Sequence, residues 1–160
     1  VSDHKSKATA IDQLSIDAPI SMSPDGEVFP LPNQEDYERE IKRLQKLVTE
    51  QRLLGREIVV VLGLGFVGAV MAGVVVDTVE RETRKPTKFV IGVQRPSSRS
   101  YWKIPYLNKG VPPVESEDKE VAPMIQRCVK EKKTLTATFT YDALSLADVV
   151  VVDVQCDINI

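Results

Sequence analysis

The chain has 160 residues, 42% hydrophobic and 28% charged, which are the proportions of a globular protein rather than a disordered or membrane-embedded one. Its net charge of −2 lacks the cationic surplus that general nucleic-acid binding needs. Two cysteines, Cys128 and Cys156, make no disulfide framework, and no apolar stretch follows Val1-Ser2-Asp3-His4, so a reducing, cytoplasmic setting without signal peptide or membrane span is expected.

Residues 1–34 carry little periodicity and much turn chemistry, with Pro19, Pro24, Asp25-Gly26, Pro30 and Pro32, and read as an extended or partly ordered arm. His4, the sole histidine, reads there as a solvated side chain. Residues 34–54 read as a helix. Asn33 is placed to cap it, Asp36 sits near its positive end, and Gly55 stops it. Tyr37, Ile41, Leu44 and Val48 make one apolar stripe, widened by Leu47. That stripe can serve the chain's own core or a two-helix contact in a dimer.

Ile58-Val59-Val60-Val61-Leu62 then reads as a strand buried on both faces. A helix is predicted over residues 66–83, a second strand over 89–93 and a loop-rich stretch over 96–117. A helix follows over 121–132, with Pro123 in its first turn, then a short strand over 135–139, a helical turn over 141–146 and a strong strand over 149–154. Strands alternating with helices predict an α/β fold, an incomplete doubly wound (Rossmann) parallel sheet of strand order 3-2-1-4. The expected division is an arm and amphipathic helix over 1–55 and a dinucleotide-binding domain over 56–160. The last strand is too apolar for a free sheet edge, so the sheet is expected to be completed by further chain or by a partner.

Between the first predicted strand and the helix after it lies Gly63-Leu64-Gly65-Phe66-Val67-Gly68, a G-x-G-x-x-G loop. The first glycine makes the turn, the second lets a pyrophosphate reach the backbone, and the third lets the helix pack close to the strand. The helix start then offers N–H groups to phosphate. At the end of the second strand, where an acid usually bonds the adenosine ribose, stands Gln94, followed by Arg95, Ser97, Ser98 and Arg99. Two readings stay open. Gln94 bonds the ribose of NAD and the arginines are solvated, or the missing carboxylate and the added arginines favour the 2′-phosphate of NADP.

These residues resemble the nucleotide-sugar 6-dehydrogenases, which oxidise UDP-glucose, GDP-mannose or UDP-N-acetylmannosamine to uronates. The resemblance rests on Gly63 to Gly68 and on Val90-Ile91-Gly92-Val93. It continues through Leu107-Asn108-Lys109-Gly110, Pro113-Val114-Glu115, Leu135-Thr136-Ala137-Thr138, Tyr141-Asp142-Ala143-Leu144 and Ala147-Asp148-Val149-Val150, in continuous order over residues 57–157. It implies two hydride transfers from the sugar C6 to NAD, with a cysteine holding the aldehyde as a thiohemiacetal and then a thioester. It also implies a cytoplasmic homo-oligomer of polysaccharide biosynthesis. Taken with the loop and strand-end readings above, the expected cofactor contacts are Gly63, Gly65, Phe66, Val67, Gly68, Gln94, Arg95, Ser97 and Arg99. Further contacts fall at the end of the last strand, at Val154, Gln155 and Cys156, where the family has a V-P-T-P turn and this chain reads Val154-Gln155-Cys156-Asp157.

The family's catalytic cysteine, and the lysine, asparagine and aspartate that assist it, have no counterpart among these residues. No catalytic and no metal residue is therefore assigned, and the nucleotide sugar is expected to meet C-terminal domains beyond this portion. Cys128 reads as a core thiol. Cys156 follows a strand end, where it can line a cofactor site, but it has no base or cation beside it in sequence. Alone, the portion is expected to bind a dinucleotide without oxidising sugar. The competing reading is a non-catalytic dinucleotide-sensing or assembly module that uses residues 34–54 as its contact. A short-chain reductase fits worse, since Tyr101-Trp102-Lys103 and Tyr106-Leu107-Asn108-Lys109 lack the Tyr-x-x-x-Lys spacing.

Overall fold

A computed structural model describes residues 18–153. The elements in chain order are β1 (Ile20–Met22), β2 (Val28–Pro30), α1 (Gln34–Leu53), β3 (Glu57–Leu62), α2 (Phe66–Asp77), β4 (Lys88–Val93), α3 (Lys103–Asn108), α4 (Val121–Gln126), β5 (Leu135–Thr138) and β6 (Val149–Val152). One π-helical turn, Arg127–Glu131, extends α4, and a 3-10 turn, Tyr141–Leu146, precedes β6.

Strands β3 to β6 form one parallel sheet in the order β5-β4-β3-β6. Central β3 pairs Val59 with Val90 of β4 on one side and with Val149 of β6 on the other. Strand periodicity of two sends alternate residues to opposite faces. Val59 and Val61 join Val90, Leu135 and Ala137 in a cluster with Ala72 and Val76 of α2 and Met124 and Ile125 of α4. Ile58 and Val60 join Phe89, Ile91 and Val93 on the other face, under Leu44 and Val48 of α1 and Ala143 of the 3-10 turn. Both faces are covered, which is why β3 and β4 read as near-continuous apolar runs. The sheet is Rossmann-like, in the expected 3-2-1-4 order. No helix among the described residues is long and apolar enough to cross a membrane.

α1 begins with a full capping box: the Asp36 N–H donates to Asn33 Oδ1 and the Asn33 N–H to Asp36 Oδ2. Its stripe serves the chain's own core, since Leu44 and Val48 are buried against the sheet and Tyr37 meets Phe139 edge to face. Four sequence expectations need correction. The described part of the arm holds an antiparallel hairpin, β1 and β2, whose buried serines bind the start of α3: Ser21 Oγ accepts from the Trp102 N–H and Ser23 Oγ from the Tyr106 hydroxyl. The loop-rich stretch holds α3 itself, too short for helical periodicity to show and held by the edge-to-face contacts of Tyr106 with Phe29 and Trp102. α2 ends at Asp77, not near residue 83, because Thr78 leaves it for extended backbone (φ −64°, ψ 140°), and the Asp77 carboxylate at its end pairs with Arg127 and Lys132. The helix over 121–132 widens at Arg127 into the π turn that brings those two cations to one carboxylate.

Among the described residues β6 is the outer strand of the sheet, and Val149, Val150 and Val152 are exposed on it. The opposite edge is closed by side chains. Asn108, at the end of α3, accepts from the Ala137 N–H at 2.8 Å and donates to the Ala137 carbonyl at 3.1 Å, pairing with β5 as a further strand residue would. Arg43 donates to the same carbonyl and to Thr136 Oγ1, and the Thr138 hydroxyl donates to Glu40. This accounts for the Asn of the Leu-Asn-Lys-Gly turn: it blunts an edge that would otherwise pair with other chains. Asn108→Ala leaves the buried Ala137 N–H without its partner and is expected to cost about 1–3 kcal/mol in urea denaturation. An unchanged midpoint would show that water replaces the amide at no cost.

Candidate functional site

The site lies where the strand order reverses, at the C-terminal ends of β3, β4 and β6. Open α/β sheets present their ligand crevice at this point. Gly63 leaves β3 at φ +95°, a conformation that a side chain disfavours, and its N–H still donates to the Val93 carbonyl at 2.8 Å. Leu64 turns inward, fully buried, and rests on the space that a Cβ at Gly92 would fill. Gly65 is the N-cap of α2 at φ −69°, and a Cβ there would meet nothing within 4 Å. The chain offers open space at the point where a phosphate would have to approach. Gly68 is the reverse case. A Cβ there would stand 1.9 Å from the Gly63 carbonyl oxygen and 3.0 Å from Asp153 Oδ2. The three glycines thus make a turn, leave a gap and allow close packing. With no side-chain cap on α2, its first N–H groups remain available to an anion.

Gln94 follows β4. Its N–H donates to the Thr138 carbonyl at 3.0 Å, and its side-chain Oε1 accepts from the Leu64 N–H at 3.0 Å. The side chain therefore ties the glycine loop to the end of the second strand. Leu62, Gly63, Val93, Gln94, Arg95 and Tyr141 line a cleft of about 290 Å³ beside the loop. Among the described residues, Arg95 carries the one charge in that lining.

Of the residues singled out in the sequence, Gly63, Gln94 and Arg95 come together in this cleft, and Gly65 and Gly68 stand at the start of α2 beside it. Phe66 and Val67 form the first turn of α2. Ser97 and Arg99 do not line the cleft. The Ser97 hydroxyl shares a hydrogen bond with Ser100, and the Arg99 carbonyl accepts from the Trp102 indole, so both belong to the turn leading into α3. Val154, Gln155 and Cys156 lie outside the described residues, as does His4. Cys128 is buried, and its thiol is pushed up to about 11 by burial and by the nearby Asp77 carboxylate, the opposite of nucleophile activation.

Two residues escaped the sequence reading. Tyr141 reaches the cleft from the turn after β5. Asp153, whose N–H continues the β6 ladder to the Leu62 carbonyl, brings a carboxylate beside Gly68. The available signal was a lone acid closing an apolar strand, which by itself reads as a strand end.

Fold and loop define the class: a Rossmann-like α/β unit with a dinucleotide-type glycine loop. No protein-family model matches the chain, and no curated protein does. Among solved structures, the chain is similar to the NDP-N-acetyl-D-galactosaminuronic acid dehydrogenase of Methanosarcina mazei Go1. The match has 31% identity and a TM-score of 0.54, and covers 70% of this chain and 22% of that one. The chain is thus a relative of the N-terminal portion of a nucleotide-sugar dehydrogenase, as its collinear motifs lead one to expect. It spans 22% of the length of the enzyme it resembles.

Proposed function

We propose that the chain is the cofactor-binding portion of a nucleotide-sugar 6-dehydrogenase. The whole enzyme oxidises the C6 hydroxyl of a UDP- or GDP-sugar to a carboxylate, with a nicotinamide dinucleotide as hydride acceptor. The observation that carries this reading is the seat of Gly68 on the Gly63 carbonyl, together with the open space over Gly65. That combination brings the start of α2 against the strand end and leaves its N–H groups facing a gap. Glycines used only for packing would not need the gap.

In this reading the first N–H groups of α2 hold the pyrophosphate, assisted by the partial positive charge of the helix end. Gly65 admits it by having no side chain. Gln94 fixes the loop through the Leu64 N–H, so the donors are set before the ligand arrives. The dinucleotide, when bound, supplies the ring that accepts hydride. By the resemblance, the covalent chemistry on cysteine and the recognition of the sugar belong to the later part of such enzymes. The alternative, an assembly module docking through the stripe of α1, is disfavoured because Leu44 and Val48 are already buried against the chain's own sheet.

Titrating the 160-residue chain with NADH and NADPH, followed by nicotinamide fluorescence, is expected to give saturable one-to-one binding. With oxidised cofactor and UDP- or GDP-sugars, no reduced cofactor is expected to form. Absence of saturable binding of either cofactor up to about 1 mM, a limit of about 4 kcal/mol, overturns the reading.

A further inference from the structure

We propose that Gln94 and Arg95 make this site select a dinucleotide with a phosphorylated adenosine ribose, NADP(H), over the unphosphorylated one. The inference rests on the dinucleotide reading above and adds the identity of the group at the ribose.

The argument begins with the direction of the Gln94 amide. The Leu64 backbone N–H is a donor, so the side-chain atom facing it at 3.0 Å is the carbonyl oxygen, Oε1. The amide nitrogen is thereby the atom left to meet a ligand. Among the described residues, no hydrogen bond uses Gln94 Nε2, and neither hydrogen bond nor ion pair uses the Arg95 guanidinium. An acid at this position would do the opposite: its oxygens accept from ribose hydroxyls and repel a phosphate. Here the cleft offers the Gln94 amide N–H₂ and, in Arg95, a guanidinium, both donors, and the guanidinium has the charge and fork geometry that suit phosphate oxygens.

The surroundings agree. Among the described residues that line the cleft, Arg95 is the charged one, and the Asp153 carboxylate stands at Gly68 beside it. The nearest acid in sequence to Tyr141, Asp142, is engaged elsewhere: its Oδ2 meets the Thr140 hydroxyl. Arg95 is exposed, and its carbonyl accepts from the Ser100 hydroxyl, which fixes the backbone that carries it. A ribose hydroxyl can accept one hydrogen bond from Nε2. A 2′-phosphate can accept from Nε2 and from Arg95 together.

The test compares NADPH and NADH titrations of the wild-type chain with those of Gln94→Glu and Arg95→Ala. Gln94→Glu keeps the length and the oxygen that receives the Leu64 N–H, and exchanges the amide nitrogen for a carboxylate oxygen. The wild-type chain is expected to bind NADPH at least tenfold more tightly than NADH. Gln94→Glu is expected to reverse that order. Arg95→Ala is expected to lose about tenfold in NADPH affinity, a loss larger than that for NADH. Circular dichroism confirms that each variant is folded. NADH binding as tight as NADPH binding in the wild type overturns the selectivity while leaving the dinucleotide reading intact. So does an equal loss of both cofactors in Arg95→Ala. Failure of both cofactors to bind the folded wild type overturns the dinucleotide reading and this inference with it.

Discussion

Alanine at position 68 is expected to be the most damaging single-methyl change in the chain. Its Cβ would stand 1.9 Å from the Gly63 carbonyl oxygen, a backbone atom that cannot swing aside as a side chain can. Either β3 and α2 separate or the Gly63–Leu64 peptide rotates, and the N–H of that peptide, on Leu64, is already held by the Gln94 side-chain oxygen. Overpacking of this kind costs about 3 kcal/mol, toward the upper end for core insertions. Thermal unfolding of Gly68→Ala should therefore show a large loss of stability, and cofactor binding should vanish with the loop. Gly65→Ala is the matching control. Its Cβ meets nothing within 4 Å and its φ of −69° suits any residue, so stability should change by less than about 1 kcal/mol. Cofactor binding should still weaken, because the methyl enters the space over the helix start. A Gly68→Ala protein as stable as wild type would refute the close packing of α2 on the strand end.

Loss of the Asp77 carboxylate should be the largest electrostatic effect. Asp77 ends α2, where the helix dipole disfavours an anion. It is retained because Arg127 donates to it through Nε and Nη2, at 2.9 and 2.6 Å, and Lys132 Nζ reaches it at 2.7 Å. Lys132 also donates to the Asp77 backbone carbonyl at the end of the helix. All three side chains are partly buried, so solvent screens the triad incompletely. The Arg127 guanidinium first, and then Lys132, hold the carboxyl well below the usual carboxylate range, and the partner guanidinium is correspondingly raised. Asp77→Asn is expected to cost about 2–3 kcal/mol at pH 7, the scale of hydrogen bonds to charged groups in a partly buried pair. A folded-state pKa below the unfolded value of 3.8 stabilises the protein above that value and is lost as the pH falls beneath it. The difference between wild type and Asp77→Asn should therefore be constant near neutrality and shrink below about pH 4. A difference that does not change with pH would assign the loss to packing instead of charge.

Much of the fold was legible because it follows from local periodicity. Five apolar residues from Ile58 to Leu62 suit a strand with both faces covered, and the residues at alternate positions do divide between two cores. The stripe of α1 was legible as a stripe, but not its destination. A periodic apolar face records that something covers it, not what, and the choice between its own sheet and a partner helix fell to the tertiary structure. The hairpin was hidden because its inward face carries Ser21 and Ser23 while Ile20, Met22 and Val28 face outward, against the usual polarity of a strand pair. It is held by Trp102 and Tyr106, roughly eighty positions later in the chain. α3 was hidden because six residues give too little periodicity to recognise.

The glycine loop stood out in the sequence because spacing is a local property: a turn, a gap and a close approach each need a glycine at a fixed offset. The direction of a side chain is not local. The Gln94 amide faces the Leu64 N–H across thirty positions of chain, and the Asn108 amide closes the β5 edge across twenty-nine. The Asp77 triad spans fifty and fifty-five. By itself the sequence determined the strands, the glycine loop and the kinship with nucleotide-sugar dehydrogenases, all carried by residues within a few positions of one another. Only the tertiary structure decided which donors and acceptors meet, because a hydrogen bond needs its partners within about 3 Å and chain order does not set that distance.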